Sequence, residues 1–328
     1  MIKPSKPHAN MARMFSYLCG LALTCSFFMS TAYQANGTSA ITPKAVKTTK
    51  AITSKSKRKL HTVLQTHPST LIYARHAVDP RFAHTSTKNA TSINWAGYVA
   101  TGGPATFLKA RTTFTIPTIT GKPDPNRIVS LWAGVGGTTS DIVRSLVQAG
   151  IDSALEPADR SSSKPYQVNE AWIEVYPQPP QTLPFTNPKS LSPGDPIRIE
   201  VKAGQDKQNH KIKLSFTITD NASNETQTLS LSTSDATFQT DGASGECILE
   251  RPLFSITNDV VILPQFETAN FGECQVSKAN DAADLDKIGT YPNLFRVDMT
   301  NDTGTVIAST SSLSGNENFS VRRVGDHQ

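Results

Sequence analysis

Three polar side chains stand in stretches that are otherwise apolar. Gln148 lies in Leu146-Val147-Gln148-Ala149-Gly150, Glu174 in Trp172-Ile173-Glu174-Val175-Tyr176 and Glu250 in Cys247-Ile248-Leu249-Glu250-Arg251. A carboxyl in a partly apolar cleft has its pKa raised, and a second carboxyl close by raises one of the two further. Such groups are the equipment of hydrolysis by general acid–base catalysis. Each of the three, taken alone, also fits the solvent face of a strand. Three in one chain, one of them flanked by aromatic residues, point to a site.

Other chemistries lack their residues. There is no Gly-x-Ser-x-Gly elbow, His-Glu-x-x-His helix, phosphate loop or dinucleotide fingerprint. Of the seven histidines, His8, His61, His67, His76 and His84 precede the body, His210 sits in a polar turn and His327 is next to the C-terminus. A Ser-His-Asp or Cys-His enzyme therefore has no base in a suitable place. Cys19 and Cys25 fall in the first segment, leaving Cys247 and Cys274. In an oxidising compartment these two either pair, closing a loop worth about 3 kcal/mol, or stay as buried thiols. No Cys-x-x-Cys or clustered histidine spacing accompanies them, so no metal and no cofactor is expected.

The elements that must position these groups are strands. From about residue 92, short β-branched and aromatic segments alternate with Gly, Pro, Asn and Asp. The expected strands are Asn94–Thr101, Lys109–Ile116, Ile128–Val135, Ile142–Gly150, Gln167–Tyr176, Pro196–Ala203, Lys211–Thr219, Glu225–Ser232, Ser244–Arg251, Val260–Glu267, Phe295–Thr300, Val306–Ser309 and Asn318–Val324. Ile197, Ile199 and Val201 oppose Arg198, Glu200 and Lys202, the alternation of a strand with one face on a core and one in water. Strand spacing of this kind without helical periods predicts an all-β fold, an antiparallel β-sandwich. The Pro-rich stretch 177–193 reads as an ordered excursion over one face.

Charge divides the chain. Residues 1–32 carry three basic residues and no acid, 33–90 carry ten against Asp79 alone, and 91–328 carry 19 basic against 26 acidic residues, a net of −7. A basic leader before an acidic body excludes a nucleic-acid binder, whose positive charge would sit on the folded domain. Lys3, Lys6 and Arg13, then the apolar run Met14 to Met29, then Ser30-Thr31-Ala32, make residues 1–32 an export signal, so the mature chain is expected outside the cell and off the membrane. Residues 33–91 are either a solvated tether or a propeptide whose charge lies across an acidic cleft.

The body resembles the glutamic peptidases, the eqolisin family, in a bacterial-type form with signal peptide and propeptide. The resemblance rests on Asn94-Trp95-Ala96-Gly97-Tyr98-Val99, Phe114-Thr115-Ile116-Pro117, Leu131-Trp132-Ala133-Gly134-Val135-Gly136-Gly137, Val147-Gln148-Ala149-Gly150-Ile151-Asp152, Ala171-Trp172-Ile173-Glu174-Val175-Tyr176-Pro177, Gly194-Asp195 and Gly245-Glu246-Cys247-Ile248-Leu249-Glu250-Arg251-Pro252. They follow in order from about residue 92 to 323. It implies a sandwich of two long, curved antiparallel sheets and a catalytic pair of Gln148 with Glu250. Glu246, four residues back on the same strand face, is the second candidate for the glutamate. It further implies that Trp132, Glu174, Trp172 and Tyr176 line the substrate cleft, with Trp95 and Asp152 near it; ordinary packing remains open for Trp95, Trp132 and Trp172. Gly136, Val175 and Cys247 depart from the family pattern. The function implied is a secreted, monomeric acid endopeptidase acting on proteins or peptides and held inactive by its own propeptide. A glycosidase using Glu174 and Glu250, or a non-catalytic carbohydrate-binding sandwich, are the alternatives.

Overall fold

A computed structural model of the 328-residue chain describes residues 74–75, 83–84, 88–124, 126–138, 146–158, 162–205, 208–254, 260–278 and 284–325. The export signal over 1–32 and most of the basic segment 33–91 lie outside the described residues. The strands are β1 (Ala74–Arg75), β2 (Ala83–His84), β3 (Asn89–Ser92), β4 (Trp95–Thr101), β5 (Phe107–Thr115), β6 (Ile128–Val135), β7 (Val147–Glu156) and β8 (Tyr166–Val175). Next come β9 (Gln181–Thr182), β10 (Pro196–Gln205), β11 (Ile212–Asp220), β12 (Glu225–Thr233), β13 (Ser244–Glu250) and β14 (Leu253–Phe254). The last are β15 (Thr268–Lys278), β16 (Asp286–Lys287), β17 (Leu294–Thr300), β18 (Val306–Thr310) and β19 (Phe319–Arg323).

One layer, the site sheet, runs β9-β8-β7-β6-β13-β4-β17-β3-β2. The other runs β12-β11-β10-β5-β15-β19. Strand β18 pairs with both β17 and β19 and joins the two layers along one edge. Every pair is antiparallel except β3 with β17. This is the expected all-β antiparallel sandwich. The boundary placed at residue 91 falls inside β3, whose Asn89–Ser92 pair in register with Arg296–Met299.

The two layers close on one core, built from residues such as Leu131, Ala149, Ile151, Ile199, Phe216, Leu249 and Phe271. Strands β10 and β11 alternate buried and exposed positions as their sequences require. Strands β6 and β13 are buried at every position, and β7 at all but its last two. A strand buried on both faces should carry apolar residues throughout. Its polar residues therefore mark the second face as something other than core.

Cys247 on β13 and Cys274 on β15 form a disulfide, with Cα atoms 6.1 Å apart, that ties the two layers together through the core. The strand expected over Val260–Glu267 is absent: that stretch makes only isolated bridges at Val260, Ile262 and Gln265, and Pro264 has no N–H for a ladder. Instead β15 begins at Thr268. It had no clean alternation to reveal it, because a bulge between Gly272 and Gln275, with Glu273 at positive φ, puts Cys274 out of step with Phe271.

Candidate active site

The outer face of the site sheet carries two rows of polar side chains, fixed by strand register. In the first, Glu174 of β8, Gln148 of β7, Gly134 of β6 and Glu246 of β13 stand side by side. Residues paired across adjacent strands point to the same face. The Gln148 Nε2 donates to Glu174 Oε2 at 2.9 Å. On the other side of Gln148, Gly134 offers no side chain, so no side chain of β6 stands between Gln148 and Glu246 in the row. Two interstrand spacings put their backbones about 10 Å apart.

Glu246 is completely buried, and neither carboxylate oxygen has a hydrogen-bond partner among the described residues. Burial pushes its pKa well above the ordinary 4.5; the nearby Ser244 works against this and the charge of Asp241 adds to it. A buried carboxyl without partners is costly to a fold, and strongly perturbed carboxyls gather at functional sites.

The second row lies four residues further along: Glu250 of β13, Ser130 of β6, Asp152 of β7 and Glu170 of β8. Ser130 Oγ donates to Asp152. Glu250 accepts from Trp132 Nε1 at 2.7 Å and from Asn94 Nδ2 at 3.1 Å. Glu170 accepts from Thr182 Oγ1, and its pKa is raised, first by burial and also by Asp152.

This register corrects the pairing implied by the resemblance. At about 3.4 Å per residue, Glu250 stands about 14 Å along its strand from the row of Gln148, with one strand between, beyond the reach of a shared water. Glu246, ranked second on sequence, is the glutamate that shares the row. The same geometry removes the glycosidase pairing: Glu174 and Glu250 are separated by two intervening strands as well as four residues of rise, far outside the carboxyl separations of either glycosidase geometry.

An aromatic layer surrounds the rows. All three tryptophans of the chain, Trp95, Trp132 and Trp172, are buried in one cluster on this face with Val99, Leu146 and Ile248, and Tyr176 packs against it half-buried. Trp132 and Trp172 flank Gly150 in a single row, and Trp95 meets Trp132 edge to face at 5.1 Å between centroids. A Cβ on Gly150 would lie 2.6 Å from Trp172 Cζ2, so the glycine allows the two indoles to close over the strand. The sequence-derived residues Gln148, Glu174, Trp132, Trp172, Trp95, Asp152 and Glu250 thus share one face. Among the described residues no group of His, Cys, Asp and Glu is arranged to hold a metal ion.

The family described as "Peptidase A4 family" matches residues 93–323. This chain belongs to the peptidase A4 family. Its sandwich is similar to that of scytalido-glutamic peptidase bound to a transition state analog inhibitor, at 19% identity and a TM-score of 0.55, covering 70% of this chain and 98% of that one. A second scytalido-glutamic peptidase structure, with a peptide-based transition state analog, gives 18% identity and a TM-score of 0.54 over the same shares of the two chains. SCP-B, an eqolisin in complex with the tripeptide Ala-Ile-His, gives 19% and 0.51, again over 70% and 98%. No curated protein matches.

As an A4 peptidase the chain is a hydrolase, and its eqolisin sandwich is the scaffold of the two rows. Two site residues carried no signal of their own in the sequence. Gly134 reads as one glycine of a Trp-x-Gly stretch, and only the pairing of β6 with both β7 and β13 shows that it separates Gln148 from Glu246. Asn94 reads as a strand start, and only the fold brings it to Glu250, 156 residues away.

Proposed function

We propose that this A4 peptidase is a secreted acid endopeptidase whose reacting pair is Gln148 and Glu246. The observation that carries the reading is the single row Glu174–Gln148–Gly134–Glu246, with a side-chain-free position between amide and carboxyl. Glu246 as carboxylate takes a proton from a water lying over Gly134, and the resulting hydroxide attacks the scissile carbonyl carbon. The charge that develops on the carbonyl oxygen is met by an N–H of Gln148, the kind of contact whose loss costs about 3–4 kcal/mol of barrier. Protonated Glu246 then gives its proton to the departing nitrogen as the C–N bond breaks.

Glu174 has a defined part in this scheme. A carboxylate only accepts, so its bond to Nε2 fixes which end of the Gln148 amide carries the hydrogens. One N–H is held in this way, which fixes the orientation of the amide toward the substrate. The tryptophans and Tyr176 supply apolar walls for a peptide.

Gln148 and Glu246 are both completely buried in the full-length chain. Substrate reaches them only after the covering has moved, which supports reading the chain as a precursor. The basic segment 33–91 is the inhibitor whose charge suits an acidic body of −7. Removal hydrates Glu246 and lowers its pKa toward the range in which a carboxylate base works in acid. The cut falls ahead of Asn89, since β3 belongs to the site sheet.

The test is incubation of the purified full-length chain with denatured casein at about pH 4, the range suited to a carboxylate base. Casein cleavage together with self-shortening ahead of Asn89 is expected, and Glu246→Gln should abolish both. An intact chain and intact casein in acid, or full activity in Glu246→Gln, would remove the proposal.

A further inference from the structure

We propose that Glu250 is a positioning residue of the cleft: it holds the Trp132 indole in the orientation that lays the ring against Gly134, beside the gap between Gln148 and Glu246. The inference rests on the reading of those two residues as the reacting pair.

Each oxygen of the fully buried Glu250 carboxyl takes an N–H, Oε2 from Trp132 Nε1 at 2.7 Å and Oε1 from Asn94 Nδ2 at 3.1 Å. Asn94 is itself anchored. Its Oδ1 accepts from Ser92 Oγ at 3.0 Å, its backbone N–H donates to the same hydroxyl at 3.2 Å, and its carbonyl accepts from the Arg251 N–H at 3.0 Å. The carboxyl is therefore held from the side of β3 and the β3–β4 link, and it holds the indole in turn.

At the far side of the ring, Trp132 Cζ3 lies 2.9 Å from the place where a Gly134 Cβ would be. The indole thus borders the place over Gly134 where the proposed mechanism puts the water. The χ2 torsion of tryptophan has broad, roughly two-fold preferences. A hydrogen bond from Nε1 to a fixed acceptor selects one of them. A buried carboxyl adds little to stability compared with an apolar side chain of the same shape. Its place here makes sense as an orienting device.

The experiment uses the full-length chain after activation in acid, with a peptide substrate and tryptophan emission as the second readout. Glu250→Ala removes both acceptors and should lower kcat/KM about tenfold, mainly through KM, as misplaced cleft walls do, with a red-shifted emission maximum. Trp132→Phe, which keeps a ring and lacks the N–H, should show the same rise in KM. Glu250→Gln retains an oxygen for the indole and should bring KM back to within about threefold of the original and restore the emission maximum.

A folded Glu250→Ala with unchanged KM and emission would overturn the positioning role and leave the Gln148–Glu246 pair standing. Should Glu250→Ala not fold, an unchanged KM in Trp132→Phe overturns it equally. Glu250→Gln as inactive as Glu246→Gln would overturn the role and the reading beneath it together, since that result makes Glu250 the proton carrier.

Discussion

Gln148 and Glu246 occupy one row of the site sheet, with Gly134 of the intervening strand between them. The two residues are almost a hundred positions apart in the chain, and the register of β6 against both β7 and β13 brings them together. A shift of one residue in either pairing would turn one of the two into the core. The full burial of the neighbouring strands on their core side fixes that register: Ala133, Val147, Ala149, Cys247 and Leu249 all sit in the inter-sheet core.

The buried state of Glu246 makes the stability of the full-length chain depend on pH. Burial raises its folded pKa well above the ordinary value of 4.5. Above pH 4.5 the unfolded chain therefore releases a proton that the folded chain keeps, and stability falls as pH rises until the folded group also ionises. Burial, aided by Asp152, raises Glu170 and works in the same direction. Thermal unfolding between about pH 4 and 7 should show Tm declining toward neutrality. Glu246→Gln should reduce that decline and raise Tm at the neutral end; equal slopes for the two proteins would contradict the assignment.

Glu174 orients the Gln148 amide, so its replacement should damage the chemical step more than the fold. Glu174→Ala is expected to lower kcat about 10- to 100-fold, the scale set by misorienting one oxyanion donor. Glu174→Gln keeps an acceptor oxygen toward Gln148 Nε2 and should recover most of this. If Glu174→Ala alters KM alone, Glu174 is a wall of the cleft and not the holder of the amide.

The fold was legible in the sequence because most strands alternate. Ile197, Ile199 and Val201 against Arg198, Glu200 and Lys202 announce one buried face, and burial follows that pattern. Strand β15 escaped because its bulge at Glu273 breaks the period on which such a reading depends. The site was half legible for a related reason. Polar residues in apolar strands marked Gln148, Glu174 and Glu250, yet Glu246 and Glu250 share a strand face and no spacing rule separates them. The choice depends on the pairing of β13 with β6, a long-range property set by packing. Whether Cys247 and Cys274 pair was open for the same reason, since their strands lie in different layers.

The Cys247–Cys274 disulfide links the layers behind the site without taking part in it. Cys247 is next to Glu246, and successive residues of a strand face opposite ways, so its sulfur lies in the core. Replacing both cysteines by alanine should destabilise the chain by about 3 kcal/mol on the loop-entropy account. Below the lowered melting point, kcat/KM should stay within about twofold of the original, because the site face is untouched. Denaturant midpoints with and without reductant measure the first effect. A large loss of kcat in the folded double variant would show that the crosslink also sets the register of the site row.

Gly134 and Gly150 are neighbours on the same face, and adding a methyl group to each should have opposite consequences. At Gly134 the new Cβ would meet Trp132 Cζ3 at 2.9 Å, Leu146 Cδ1 at 3.0 Å and Gln148 Cβ at 3.2 Å. Two of these are outer atoms of side chains that can shift by tenths of an ångström, so the fold should survive. The methyl group would nevertheless stand in the row between Gln148 and Glu246, where the proposed mechanism puts the reacting water. At Gly150 the new Cβ would lie 2.7 Å from the backbone oxygen of Leu131 as well as 2.6 Å from Trp172 Cζ2. A central strand has no freedom to move that carbonyl, and overpacking of this kind costs about 1–3 kcal/mol. Gly134→Ala is therefore expected to keep its Tm within a few degrees while losing at least about 100-fold in kcat. Gly150→Ala should lose stability first, with its remaining folded fraction still active. Thermal melts and active-site-normalised kinetics on the two variants separate the cases. A fully active Gly134→Ala would mean that the water does not sit over Gly134.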